Sequence, residues 1–221
     1  MTSLPSIVGF DLDGTLVDTS RDLAAAVNHA LGAAGRPTLP VARIITMVGG
    51  GARRMLAQAL DATGGYDPDE LDRLHDALLD YYAANICVDS TSYPGVVEAL
   101  DALAERGVTL GIVTNKLERF TRPLLGQLGL AHRFAAIIGG DTLGNGMAKP
   151  SPEPIRTMIE GCGGGRAAFV GDSIYDVSAA HAAGIPALVY RGGFTLEGVD
   201  RLGADGVIDH YDQLVAMLER L

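Results

Sequence analysis

The sequence predicts an α/β fold: a parallel sheet with helices on both faces and a small all-helical segment inserted after the first strand. Three observations predict it. Short apolar runs recur along the chain with amphipathic stretches between them, the pattern of βαβ units. The alternation stops over residues 19–90, where helical patterns follow one another and nothing reads as a strand. Reactive polar residues fall at the ends of the apolar runs, where open α/β sheets bind ligands.

The first strand is the run Ile-Val-Gly-Phe at Ile7–Phe10, which leads straight into Asp11-Leu12-Asp13-Gly14-Thr15. A continuous apolar run is the mark of a buried strand, and Gly14 permits a sharp turn where it ends. Residues 22–31 are alanine-rich with Leu23, Val27 and Leu31 on one helical face. Residues 52–60 follow the triplet Gly49-Gly50-Gly51, and residues 69–84 carry Leu71, Leu74, Leu78, Leu79 and Tyr82 close to a 3.6-residue period. These helices are read as a domain of residues 18–91 set between core segments 1–17 and 92–221, with hinges at 17–20 and 89–95. The competing reading lays the same helices on one face of the sheet. Alternation then resumes. Strands are expected at Thr109–Val113, Ala136–Ile138, 167–170, Ala187–Tyr190 and Gly206–Ile208, with helices at Val96–Glu105, 118–128 and 173–183. Gly107, Gly129 and Gly184 sit where helices end in a left-handed residue.

Bulk properties narrow the function. With 48% hydrophobic and 20% charged residues, the 221-residue chain has enough apolar material for a packed core. A formal net charge of -10 argues against nucleic acid or an anionic membrane as partner. An anionic substrate therefore needs a local positive site. Cys87 and Cys162 have no metal-ligand spacing and no disulfide framework. No apolar run approaches the ~20 residues that span a bilayer. The first residues lack a basic start and an apolar leader. The expected setting is the cytoplasm, as a monomer or homodimer.

Four polar segments carry the chemistry. Asp11 and Asp13, spaced i and i+2, point the same way from an extended chain. Thr114-Asn115 ends the strand at Thr109–Val113, Lys149-Pro150 precedes a helix starting near Ser151, and Gly171-Asp172-Ser173-Ile174-Tyr175-Asp176 follows the strand at 167–170. Singly, each has a plain structural reading: Asp before Gly is a common turn, Thr-Asn and Asp-Ser are common helix caps, and Asp176 suits a helix's first turn. Lys149 is harder to dismiss, since it and Lys116 are the two lysines of the chain. The five histidines fall near none of these segments.

Together, in this order and spacing, the four segments resemble the motifs of the haloacid dehalogenase superfamily over nearly the whole chain, and the helical insert resembles that family's small α-helical cap. Within it the chain is similar to phosphoglycolate phosphatases, on Asp18, residues 22–27 and the stretch Val48-Gly49-Gly50-Gly51-Ala52-Arg53. The resemblance implies a Rossmann-like core and a hydrolase of small phosphomonoesters, most of all 2-phosphoglycolate. Asp11 is then the nucleophile that forms an aspartyl-phosphate. Asp13 protonates the leaving oxygen and later deprotonates the attacking water. Thr114 and Lys149 hold the phosphoryl oxygens, and Asn115 adds a hydrogen bond. Mg²⁺ is held by Asp11, the main-chain carbonyl of Asp13 and Asp172, with Asp176 acting through water or Lys149.

Electrostatics gives the metal its own rationale. Two like charges about 4 Å apart repel by ~4 kcal/mol at an effective dielectric near 20. Gathering Asp11, Asp13, Asp172 and Asp176 adds several such terms, which a divalent cation removes. Oxygen ligands and a phosphate co-ligand favour Mg²⁺. In the insert, Arg53 and Arg54 follow three glycines. Arg53 is the candidate contact for a small phosphorylated acid, against the alternative that both arginines face solvent or pair locally. No lysine lies between Thr19 and Ser90, which excludes the Schiff-base chemistry of phosphonate-cleaving relatives. A sugar-phosphate mutase of the β-phosphoglucomutase kind, a pyrophosphatase and a nucleotidase share the motifs. Outside enzymes, a receiver-like domain and a silent phosphate sensor remain. Receivers lack a helical insert after the first strand, and all the catalytic positions are occupied here.

Overall fold

The computed structural model describes residues 4–195 and 198–221, so residues 1–3, read above for a leader, lie outside it. Strand β1 (Ile7–Phe10) lies at the centre. The chain leaves it through β2 (Val17–Asp18), runs through α1 (Ser20–Ala33), α2 (Val41–Ile45), α3 (Ala52–Asp61) and α4 (Pro68–Ala84), and returns through β3 (Thr91–Ser92). There follow α5 (Val96–Glu105), β4 (Thr109–Val113), α6 (Glu118–Gln127), β5 (Ala136–Ile138), α7 (Glu153–Gly161), β6 (Ala167–Gly171), α8 (Ile174–Ala183), β7 (Ala187–Tyr190), β8 (Gly206–Ile208) and α9 (Leu214–Leu218).

The sheet order is β5-β4-β1-β6-β7-β8, and every pair is parallel. Both faces are covered, which is why the strands read as unbroken apolar runs. Side chains alternate between two cores. Val8, Phe10, Leu110, Ile112 and Val170 face one, and Ile7, Val113, Phe169 and Val189 face the other. On the second face α7 lies close against the sheet. A Cβ at Gly9 would stand 2.5 Å from Met158 Cε, and one at Gly111 would stand 2.5 Å from Met158 Sδ. The chain builds outward from β1 to β4 and β5, then crosses to β6, β7 and β8 on the other side. The carboxyl ends around β1 are therefore a switch point, the place where such sheets hold ligands.

The insert packs on itself: α1 lies against α4, α2 and α3. Asp67 caps α4 by accepting the Glu70 N–H at 2.8 Å, with Pro68 at the first helical position. β2 and β3 pair antiparallel, Val17 with Ser92 and Asp18 with Thr91. Neither two-residue strand, nor α2 and α9 at five residues each, is long enough to show a period in the sequence. Buried Asp22 on α1 ties the return segment down. It accepts the N–H groups of Val88, Asp89 and Ser90 at 3.0–3.2 Å and the Ser90 hydroxyl at 2.6 Å. Asp22→Ala leaves these donors unpaired. It is expected to cost about 2–4 kcal/mol, read as a lowered denaturant midpoint, whereas a change under ~0.5 kcal/mol would mean that water replaces the carboxylate. Among the described residues no helix is long and apolar enough to cross a membrane.

Candidate active site

Asp11 is the first residue after β1, and its N–H donates to the Val170 carbonyl at 2.9 Å. The loop that follows is tight: Leu16 N–H returns to Leu12 O at 3.0 Å and Gly14 N–H to Val17 O at 2.9 Å. Gly14 has φ +84°, and a Cβ there would stand 2.5 Å from Asp172 Oδ2. Glycine is thus required twice over, by conformation and by the closeness of the β6 loop.

Three buried carboxylates meet beside this loop. Asp11, Asp172 and Asp176 each offer an oxygen within 4.8 Å of the others. Buried Lys149 lies among them, with Nζ 2.5 Å from Asp176 Oδ1, 2.9 Å from Asp11 Oδ1 and 2.8 Å from the Val113 carbonyl. The contact to Asp11 is an ion pair without hydrogen-bond geometry, which leaves Oδ1 an open acceptor. Asp176 is fully committed. Its other oxygen closes a capping box on α8, taking Ser173 Oγ at 2.6 Å and the N–H groups of Ser173 and Asp172. Its cap role and its place in the site coincide, and its Oδ1 is paired with Lys149. Asp172 Oδ2 accepts the Phe194 N–H at 2.6 Å.

Burial sets the proton affinities. It pushes Asp11 up to about 6 against the pull of Lys149, with Asp176 and Asp13 adding to the rise. Burial, then the charges of Asp176 and Asp11, raise Asp172 well above the ordinary carboxylate range. For Lys149 burial acts downward, but Asp11 and Asp176 outweigh it and hold the ammonium above the usual lysine value. The group is short of positive charge, and all its free ligand atoms are oxygens. That donor set fits a hard divalent cation.

Asp13 stands apart from this cluster. Its carboxylate is gripped by Lys116 Nζ at 2.7 and 2.8 Å and by the Thr19 hydroxyl at 2.7 Å. Lys116 is itself buried, 4.7 Å from the centre of the Tyr82 ring on α4. Sequence reasoning missed both Lys116 and Thr19. The one available signal was a rare lysine two residues after Thr114. Thr114 is buried, with its N–H on the Ile138 carbonyl at 3.0 Å.

Two expected substrate contacts are placed otherwise. The Asn115 amide donates to Gly49 O at 2.7 Å and Lys149 O at 3.0 Å, so its N–H groups join the glycine loop of the insert to the core instead of facing a phosphoryl group. Arg53 is half-exposed, ion-paired with Asp72 of α4, and lines neither of the two spaces that adjoin the carboxylates. A pair on the surface of the insert satisfies it. Arg54 lies with its guanidinium carbon 5.8 Å from the centre of the Tyr175 ring on α8.

Two spaces adjoin the carboxylates. One, of about 60 Å³, is bounded by Asp11, Asp13, Thr114 and Lys116 on the sheet side and by Leu23, Met55, Leu78 and Tyr82 of the insert. The other, of about 370 Å³, lies between Ile45, Val48 and Gly49 of the insert and Asp172, Ser173 and Phe194. Asp13 borders both.

The chain is similar to known proteins along most of its length. Residues 8–190 match the family model described as haloacid dehalogenase-like hydrolase. The chain is 40% identical over 227 residues to the phosphoglycolate phosphatase of Agrobacterium fabrum, covering 100% of this chain and 97% of the relative. It is 41% identical over 219 residues to that of Mesorhizobium japonicum, covering 97% and 96%. A crystal structure of a predicted phosphoglycolate phosphatase from Haemophilus somnus superposes with a TM-score of 0.89 at 31% identity, covering 96% of this chain and 97% of that one. With the family model spanning both the Asp11 loop and the Asp172 loop, the chain belongs to the haloacid dehalogenase-like hydrolase family.

Proposed function

We propose that this protein is a magnesium-dependent phosphatase that hydrolyses 2-phosphoglycolate through an aspartyl-phosphate. The observation that carries the reading is the smaller cavity, which gathers Asp11, Asp13 and Thr114 around a space of about 60 Å³. That holds roughly four waters, so it suits a leaving group of a few heavy atoms better than a sugar or nucleoside. Relatives at about 40% identity over the full chain carry the name phosphoglycolate phosphatase.

Each step has a residue to perform it. Asp11, at the end of a rigid strand, attacks phosphorus in line with the leaving oxygen. Thr114 and Lys149 stabilise the charge on the transferring group's oxygens, in a site dry enough for such contacts to count. Asp13 gives its proton to the leaving oxygen and then takes one from the water that hydrolyses the acyl phosphate. Asp11 and Asp172 would hold the magnesium, with Asp176 keeping Lys149 in place. When bound, the ion offsets the negative charge that acids and phosphate bring together. The helices of residues 18–91 serve as a lid that keeps bulk water out.

Purified protein with magnesium is expected to release phosphate from 2-phosphoglycolate without any added sugar bisphosphate, and excess EDTA is expected to stop release. A requirement for a sugar bisphosphate would turn the reading into a mutase. Failure on every phosphomonoester would end it. Magnesium at one hundred times its Kd is expected to add about 2.7 kcal/mol of stability to the chelated protein. That is a rise in melting temperature of roughly 5–10 °C at pH 8.

A further inference from the structure

The smaller cavity is an apolar chamber with one cation. Among its described lining residues Leu23, Met55, Leu78 and Phe120 are hydrophobic, Asp11 and Asp13 are acids, and Lys116 is the one basic group. Arg53, the basic residue expected from the sequence to meet a substrate acid, is paired with Asp72 elsewhere. A second observation points to a ligand in the same place. The Tyr82 hydroxyl is buried beside Lys116 and makes no hydrogen bond of normal geometry. A buried hydroxyl without an acceptor costs free energy, and this one belongs to a residue that lines the same cavity as Lys116. Burial pushes Tyr82 up to about 12 despite the nearby ammonium, so the hydroxyl keeps its proton and is a donor.

Resting on the phosphoglycolate reading, we propose that Lys116 and Tyr82 bind the carboxylate of the leaving group and so set specificity for phosphorylated acids. The chemistry is that of a charge-assisted pair: an ammonium and a phenol converging on one carboxylate in apolar surroundings. Without substrate, Asp13 occupies the ammonium. A substrate carboxylate competes for it and leaves Thr19 as the remaining partner of Asp13, so that the right acid also frees the residue that must carry the leaving group's proton. A neutral ester makes neither contact. Placing the specificity residue two positions from Thr114 on the core, and its hydroxyl partner on the insert, makes the pocket complete only when both parts are together.

The test compares 2-phosphoglycolate with 2-hydroxyethyl phosphate, which replaces the carboxylate by a neutral hydroxymethyl group of similar size. The quantity read is the ratio of kcat/KM for the two esters, measured for the wild-type enzyme and for Lys116→Met and Tyr82→Phe with saturating magnesium. Wild type is expected to prefer the acid by at least ~100-fold, since a site built for a polar group strongly rejects the analogue that lacks it. Lys116→Met is expected to bring the ratio to within about fivefold of unity, and Tyr82→Phe to lower it roughly tenfold. Equal falls for both esters in Lys116→Met would mean that the lysine only positions Asp13, and would overturn the proposal. A wild-type ratio in Tyr82→Phe, a variant that removes one unpaired oxygen from the fold, would overturn it even if Lys116→Met failed to fold. Wild-type enzyme that turns over neutral esters but not 2-phosphoglycolate would instead sink the functional reading on which the proposal rests.

Discussion

Asp11→Asn is expected to lose more than ~10⁴-fold in kcat and, in the same protein, to raise the melting temperature of the metal-free form at pH 8 by roughly 6–12 °C. The two effects have one cause. As the proposed nucleophile Asp11 must be an ionised carboxylate, yet burial raises its pKa to about 6, with Asp176 and Asp13 adding to the rise against Lys149. In an acid whose folded pKa lies above its unfolded value near 4, stability is present in full below that value and is lost as pH rises through about 6. At pH 8 the shift of about two units corresponds to about 3 kcal/mol held against the fold. Asparagine removes the charge at nearly constant shape. Calorimetry in EDTA should show the gain at pH 8 and little of it at pH 4.5, where Asp11 is close to its neutral form. An inactive variant melting no higher than wild type would show that the carboxylate is not strained by its surroundings.

Lys149→Met is expected to act in the opposite direction on the fold. Its ammonium lies within 2.9 Å of two buried acids and donates to the Val113 carbonyl. Removing one partner of a buried ion pair costs about 3–5 kcal/mol because the other charge is stranded. A fall in melting temperature of roughly 10 °C is expected without magnesium, together with about a 10³-fold loss of activity below that temperature with it. Arginine is not expected to rescue either, since a planar fork cannot replace a compact ammonium among three oxygens. Turnover within tenfold of wild type would confine Lys149 to a purely architectural role.

Most of the core could be read because burial on both faces writes strands as plain apolar runs. Ile7–Phe10 and Ala187–Tyr190 are observed at the bounds their hydrophobicity gave, and Gly184 ends α8 in the left-handed conformation expected of it. The candidate segments could be read because Asp11, Thr114 and Asp172 each follow directly on a strand and because all four segments occur together in one order. What escaped depends on contacts between distant elements. Lys116 stands out because the Asp13 side chain turns toward it and because Tyr82 reaches it from α4. For Arg53 the sequence left substrate contact and local pairing both open, and α4 brings Asp72 beside it. Asn115 looked like a phosphate ligand until the Gly49 loop folded over it. The paired strands β2 and β3 carry two residues each, too few to leave a pattern.

That pairing has a consequence for descent. Because Val17 is bonded across to Ser92 and Asp18 to Thr91, the whole excursion departs and rejoins at a single stem. A graft held at one stem can be lengthened, trimmed or exchanged without spreading the acids around Asp11. New tastes in phosphate esters could thus arise by trading the crown while the hydrolytic root stays as it is.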